Sequence, residues 1–333
     1  MTGCDFTDRS PWQAWAWCTG SSVAFVASLY LVPKRLRRLP RSDPSQASRI
    51  RARFAAVSAT TFASVVGTRL LARSVEDGVP FRKWIGIGVH HLGPALVLPL
   101  LLTCCLFLGP LVTMAWMVYV ATLNEVSPRG VAKPRSDRMP WHLVARGELA
   151  KKVNLDKGIY SVVRNIVVGP VSEEVVFRGC TVPVLLGAGV SRTTIVLLSP
   201  LIFGFAHLHH ALEWLRQGHS VRSVVAIMVF QITYTSVFGA FAVFVQLRTG
   251  HLVSSILVHM MCNLMGVPDI TFATKPGTPA DSSPTSVLYE HRTGLWSLYG
   301  VGICLFCGLL FPLTSPNLYG SILWSDGASF YHD

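Results

Sequence analysis

The sequence predicts an all-α fold: a polytopic transmembrane helical bundle of about eight spans, enclosing a cavity open to the cytosol. Three observations carry this. Of the 333 residues, 51% are hydrophobic and only 14% are charged, where a soluble domain carries about 25% charged residues. Several apolar runs approach or exceed the ~20 residues that cross a bilayer. The formal net charge of +12 is gathered between these runs and not spread over a face. That pattern fits basic cytosolic loops and excludes a nucleic-acid partner, which would need a soluble basic surface.

The elements follow in order. Residues 1–11 lack a basic n-region, so the first apolar run, 12–32, is expected to remain as an anchor. Lys34, Arg35, Arg37, Arg38, Arg41, Arg49, Arg51 and Arg53 follow it and hold this loop in the cytosol. A second span at 54–72 is rich in Ala, Ser and Thr, which suit close helix packing. Residues 84–92 are expected on the surface. The third span, 94–121, is expected to kink at Pro99 and Pro110 and can hide a broken helix. Residues 122–158 are polar and basic, with a surface helix expected at 140–153. Spans four to eight are 159–186, 193–209, 223–247, 250–267 and 294–312, with a polar loop at 268–293. The whole chain, 1–333, is expected to be one integral membrane domain with its core at 159–267. Of eight cysteines, all but Cys4 lie in apolar runs, which argues against a disulfide framework.

Span four holds the decisive anomaly. Glu173, Glu174 and Arg178 interrupt a segment that is otherwise largely apolar. An ionised side chain at mid-bilayer costs at least ~2.5–3.5 kcal/mol, so such groups need partners and usually have a use. Glu174 and Arg178 are spaced i, i+4 and can pair on one helix face. Glu173 points about 100° away, free to face a cavity. Entering from the cytosol near Arg164, the chain reaches Glu173 after ~13 Å of helix. Span five ends at Phe203-Gly-Phe-Ala-His207, and span seven carries His259-Met-Met-Cys-Asn263. Both spacings are again i, i+4, so Phe203 can pack under the His207 imidazole, and His259 shares a face with Asn263. The topology puts Glu173, His207, His259 and Asn263 in the cytosolic half of the membrane.

Glu173-Glu-x-x-x-Arg178, Phe203-x-x-x-His207 and His259-x-x-x-Asn263, in this order and each on its own helix, resemble the type II CAAX prenyl endopeptidase family. That family lies within the abortive-infection-type membrane protease superfamily. The resemblance covers roughly 159–267. It implies an eight-helix intramembrane peptidase of the endoplasmic reticulum, with its active site toward the cytosol. Such an enzyme removes the last three residues of prenylated CaaX proteins, such as Ras-like small GTPases. Carried over motif by motif, Glu173 and His207 would activate a water, and His259 and Asn263 would stabilise the oxyanion. Glu174, Arg178 and Phe203 would support them. No cofactor is implied, and membrane lipid is the other partner.

The chemistry is coherent with this. Peptide hydrolysis needs an activated water, a stabilised oxyanion and a proton for the leaving amine. A carboxylate in an apolar cavity is a better base than one in water. Rival readings are a zinc protease using Glu173, His207, His259 and His210, a thiol protease through Cys180 or Cys262, a transporter, and a non-catalytic prenyl-protein binder. The sequence has no His-Glu-x-x-His pair, and the two cysteines sit in apolar surroundings that disfavour a thiolate.

Overall fold

The computed structural model describes residues 2–6, 9–31, 46–76, 78–123, 155, 158–268, 270–273 and 288–324. Most of the basic cluster after the first span, the surface helix expected at 140–153 and much of the 268–293 loop lie outside the described residues.

Helices dominate. They are α1 (Pro11–Ser28), α2 (Gln46–Leu71), α3 (Phe81–Trp84), α4 (Leu92–Leu106), α5 (Leu108–Leu123), α6 (159–187), α7 (Arg192–Ala206), α8 (His209–Arg216), α9 (Val221–Thr249), α10 (Leu252–Met265) and α11 (Arg292–Leu313). Among the described residues, four helices are long and apolar enough to cross a membrane: Ser48–Leu71, Arg192–Arg216, Val221–Thr249 and Arg292–Leu313. The pair α4 and α5, bent by 75°, makes a fifth if it counts as one broken span. The expected count of about eight includes three helices that do not meet this criterion by themselves. These are α1 with 18 residues, α10 with 14, and the segmented α6.

Local chemistry sets the helix ends. Pro11 opens α1, and the Gln13 side chain accepts from the Ser10 backbone N–H at 3.2 Å. The hydroxyls of Ser191 and Ser220 accept from the N–H groups of Thr194 and Ser223, which cap α7 and α9. Gly250 ends α9 at φ 67°, a left-handed position that suits glycine, with Ser321 packed against it.

Prolines explain the irregularities. A helical proline leaves the carbonyl four residues earlier without its N–H partner. For Pro99 that carbonyl is Ala95, and it accepts instead from the Ser254 hydroxyl at 2.8 Å. For Pro110 it is Leu106, the last residue of α4, and the bend follows at Phe107. In α6 the backbone widens into π turns at Arg164–Val168 and Val175–Cys180. These contain Ile166 and Gly179, the residues four before Pro170 and Pro183. The Thr181 hydroxyl donates to the Val176 carbonyl inside the second π turn.

The chain forms two compact units: Met1–Pro99, Val167–His259 and Thr314–Asp333 in the first, and Leu100–Ile166 with Met260–Leu313 in the second. In the first, Cys4, Phe6 and Trp84 join a buried core with Val182, Leu185, Ile195 and Leu247. Strand β1 (Thr2–Asp5) pairs antiparallel with β2 (Arg73–Glu76) over this core. Trp84, expected at the surface, is instead buried: its indole N–H donates to the Cys4 carbonyl at 2.9 Å, and its ring meets Phe6 edge-on. The N-terminal residues supply both contacts, which an apolar-run reading does not anticipate. In the second unit, Phe272, Leu288 and Leu295 form a cluster with Trp116 and Tyr299. All eight cysteines are free thiols.

Candidate active site

Helix α6 brings Glu173 and Glu174 into the first unit at the end of the α-helical segment Gly169–Glu174, immediately before the second π turn. Glu174 is fully buried, with 0% of its side chain exposed, while Glu173 keeps 26%. Adjacent carboxylates thus occupy different environments, as the 100° offset between neighbouring helical residues requires.

Glu174 is held from two sides. Arg178 Nη1 donates to its Oε1 at 3.0 Å, and His259 Nδ1 donates to the same oxygen at 2.7 Å. The first contact is the expected i, i+4 pair. The second was not expected: the sequence assigned His259 to an oxyanion and left Glu174 with Arg178 alone. No local spacing signals a contact between residues 85 apart. On its other side His259 presents Nε2 to Glu173 Oε2, at 3.7 Å. One imidazole therefore lies between the two carboxylates.

Arg178 is 1% exposed. Its guanidinium stands 4.4 Å from the Phe203 ring centroid and 5.7 Å from that of Phe238. Aromatic faces partly replace the water a cation would otherwise lose. Helix α9 approaches closely here because residue 239 is glycine: a Cβ there would meet Pro200 at 2.9 Å and Arg178 Nη2 at 3.1 Å. Phe238 and Gly239 carry no motif that marked them in the sequence.

Phe203 is the centre of the aromatic packing. It meets His207 edge-on at 5.0 Å, Phe177 at 5.0 Å and His259 at 6.1 Å. The expected stacking of Phe203 with His207 is therefore present, in T-shaped form. His207 Nδ1 donates to the Phe203 carbonyl at 2.9 Å. With the proton on Nδ1, Nε2 carries the ring's lone pair and can accept from a water. Phe25, Val57, Val176 and Phe177 close the apolar floor under this group.

Asn263 lies one turn beyond His259 along α10. It belongs to the second unit, where its amide donates to the Asn165 carbonyl at 2.9 Å. Its link to the other site residues rests on helix spacing. Among the described residues, no group of three or more His, Cys, Asp or Glu side chains is arranged to hold a metal ion. On the opposite flank of α7, an apolar groove of about 700 Å³ runs between α1 and α7, lined by Trp15, Val23, Tyr30, Leu201, Phe205 and His209 among others.

Comparison with known proteins follows this geometry. The family model described as "Type II CAAX prenyl endopeptidase Rce1-like" matches residues 156–265. The chain is 33% identical over 314 residues to CAAX prenyl protease 2 of Homo sapiens, covering 92% of this chain and 82% of that protein. It is 33% identical over 314 residues to CAAX prenyl protease 2 of Arabidopsis thaliana, covering 91% and 90%. Over a shorter segment of 108 residues it is 44% identical to a probable CAAX prenyl protease 2 of Schizosaccharomyces pombe. No solved structure matches significantly.

Proposed function

Since the chain belongs to the type II CAAX prenyl endopeptidase family and is a multi-pass membrane peptidase, we propose that it removes the C-terminal aaX tripeptide from prenylated CaaX proteins. Ras-like small GTPases are representative substrates. In this reading the chain is one integral membrane domain of the endoplasmic reticulum. Residues 159–267 are its catalytic core, opening toward the cytosol.

The observation that carries the reading is the inequality of the two glutamates around His259. Glu174 is sealed and balanced by Arg178, so it serves as scaffold. Glu173 keeps an accessible carboxylate beside the same imidazole. A water between Glu173 and His207 would give a proton to Glu173 as its oxygen attacks the prenylcysteine carbonyl. Glu173 would then return that proton to the departing amine, and the C–N bond breaks. His259, fixed at Nδ1 by Glu174, holds Nε2 on the Glu173 side. To donate from there to the oxyanion, the ring must carry protons on both nitrogens. Asn263, one turn along the same helix, would supply the second donor. The prenyl chain needs apolar surroundings, and the groove on the other flank of α7, between α1 and α7, is the candidate for them.

The test is cleavage of a farnesylated CaaX peptide by the purified protein in detergent, comparing wild type, Glu173→Ala and Glu174→Ala with and without a chelator. Tripeptide release that Glu173→Ala abolishes and chelator leaves intact supports the reading. Release abolished by chelator and restored by zinc would replace it with a metal mechanism. A folded wild type that releases nothing would reopen the transporter and binder alternatives.

A further inference from the structure

A peptidase that removes three residues from a chain end can fix its cut by the prenylcysteine, by the chain end, or by both. Resting on the function proposed above, recognition of the chain end calls for a cation within about three residues' reach of the activated water. Three extended residues span at most about 10–11 Å. The group to be met is an α-carboxylate, an anion that arginine recognises through paired N–H donors.

The first unit holds a candidate on α2. Val57 of α2 is buried in the cluster that contains Phe177 and Phe203. Arg53 lies one turn before Val57, on the same face of α2, about 6 Å along the helix axis. That places it beside the aromatic floor of the site and toward the end of α2 where the basic residues collect. Its guanidinium is also close enough to the His210 imidazole for the two to interact electrostatically. His210 in turn lies 6.1 Å from His207, ring centre to ring centre. That 6.1 Å step leads from the reacting imidazole toward Arg53 and lies within the ~10–11 Å reach of three extended residues.

The surroundings are those of an anion subsite. Arg53 makes no ion pair among the described residues, and its Nε is buried with no hydrogen-bond partner among them. The nearby acid, Glu213, is already engaged, with Oε2 at 3.5 Å from His210 Nδ1. The His209 ring lies 4.0 Å from that of His210, tilted by 38°, and its Nδ1 donates to the Ala206 carbonyl, which leaves Nε2 outside that bond.

We propose that Arg53, on the His210 side of the site, binds the C-terminal α-carboxylate of the substrate and so helps to set the cut three residues from the chain end. The same chemistry could serve a lipid phosphate, and the test separates the two.

The experiment compares farnesylated CaaX peptides ending in a free carboxylate or a carboxamide. Each is assayed with wild type, Arg53→Gln and Arg53→Lys in micelles with and without phosphatidylglycerol. Size-exclusion profiles serve as the folding control. Wild type should lose about 10- to 100-fold in kcat/KM on amidation, the scale of a hydrogen-bonded charge contact. Arg53→Gln should lose a similar factor on the acid and no longer distinguish acid from amide, while Arg53→Lys should recover part of the acid preference. Wild type cleaving acid and amide equally would overturn the subsite and leave the peptidase intact. Full acid preference in Arg53→Gln would overturn the assignment to Arg53. A loss in Arg53→Gln that is equal for acid and amide, and appears only with phosphatidylglycerol, would give Arg53 to the lipid. A wild type that cleaves neither peptide would remove the proposed function and this subsite with it.

Discussion

Glu174 Oε1 and His259 Nδ1 meet at 2.7 Å, although 85 residues separate them. The contact ties α10 to α6 and orients the imidazole toward Glu173. Because Arg178 grips the same oxygen, position and charge balance are set together.

Glu173 and Glu174 should therefore fail in different ways. Glu173→Gln keeps the shape and removes the base. It should lower kcat by about 10²- to 10⁴-fold with an unchanged melting temperature in detergent. Glu174→Ala leaves Arg178 buried without its counter-charge and should destabilise by about 3–5 kcal/mol. Thermal melts run beside peptidase assays will tell them apart, and equal melts for both variants would refute the division of labour.

The Glu174–Arg178 pair invites a double-mutant cycle. Arg178→Met alone strands a carboxylate in the core. Combining it with Glu174→Leu removes both charges, and the double variant should melt above either single one. It should still be a poor peptidase, since His259 has lost the acceptor at Nδ1. Recovery of stability without recovery of turnover is the expected signature.

Gly239 is where α9 comes nearest to Arg178. Gly239→Val should force α9 away from Pro200 and Arg178 and cost about 1–3 kcal/mol by overpacking, seen as a lowered melting temperature. Gly294, whose Cβ position has no heavy atom within 4 Å, is the control: Gly294→Val should leave the melt almost unmoved.

Phe203 supports Arg178 on one side and His207 on the other. Phe203→Leu keeps apolar volume and loses both ring contacts, worth about 0.5–1.5 kcal/mol for the aromatic pair and a similar amount for the cation. The fall in kcat should exceed any change in KM. A KM effect alone would place Phe203 in substrate binding.

Much of this was legible in the sequence, and for a definite reason. Helix spacing is local, so Glu174 with Arg178 and Phe203 with His207 could be paired without a structure. Composition and apolar runs gave the helical membrane class. What stayed hidden needs contacts between distant elements. His259 on Glu174, Phe238 and Gly239 around Arg178, and Trp84 under Cys4 each join segments that no periodicity links. Span three is intermediate: Pro99 and Pro110 announced a disturbance, but only the Ser254 hydroxyl on the Ala95 carbonyl explains why the helix continues past Pro99 and turns after Leu106.

The π turn Val175–Cys180 sits between the Gly169–Glu174 segment and the last turns of α6. Such a turn holds one residue more than an α turn needs. Deleting Val175 would let the helix close into regular α geometry, and because the surplus residue adds no turn, the segments on either side would keep nearly the same relative facing. Glu174 and Arg178 would then stand i, i+3, a spacing that still shares a helix face. Val175→Ala keeps the count and should be mild. The surplus residue therefore sets how the guanidinium meets the carboxylate, not whether the two share a face.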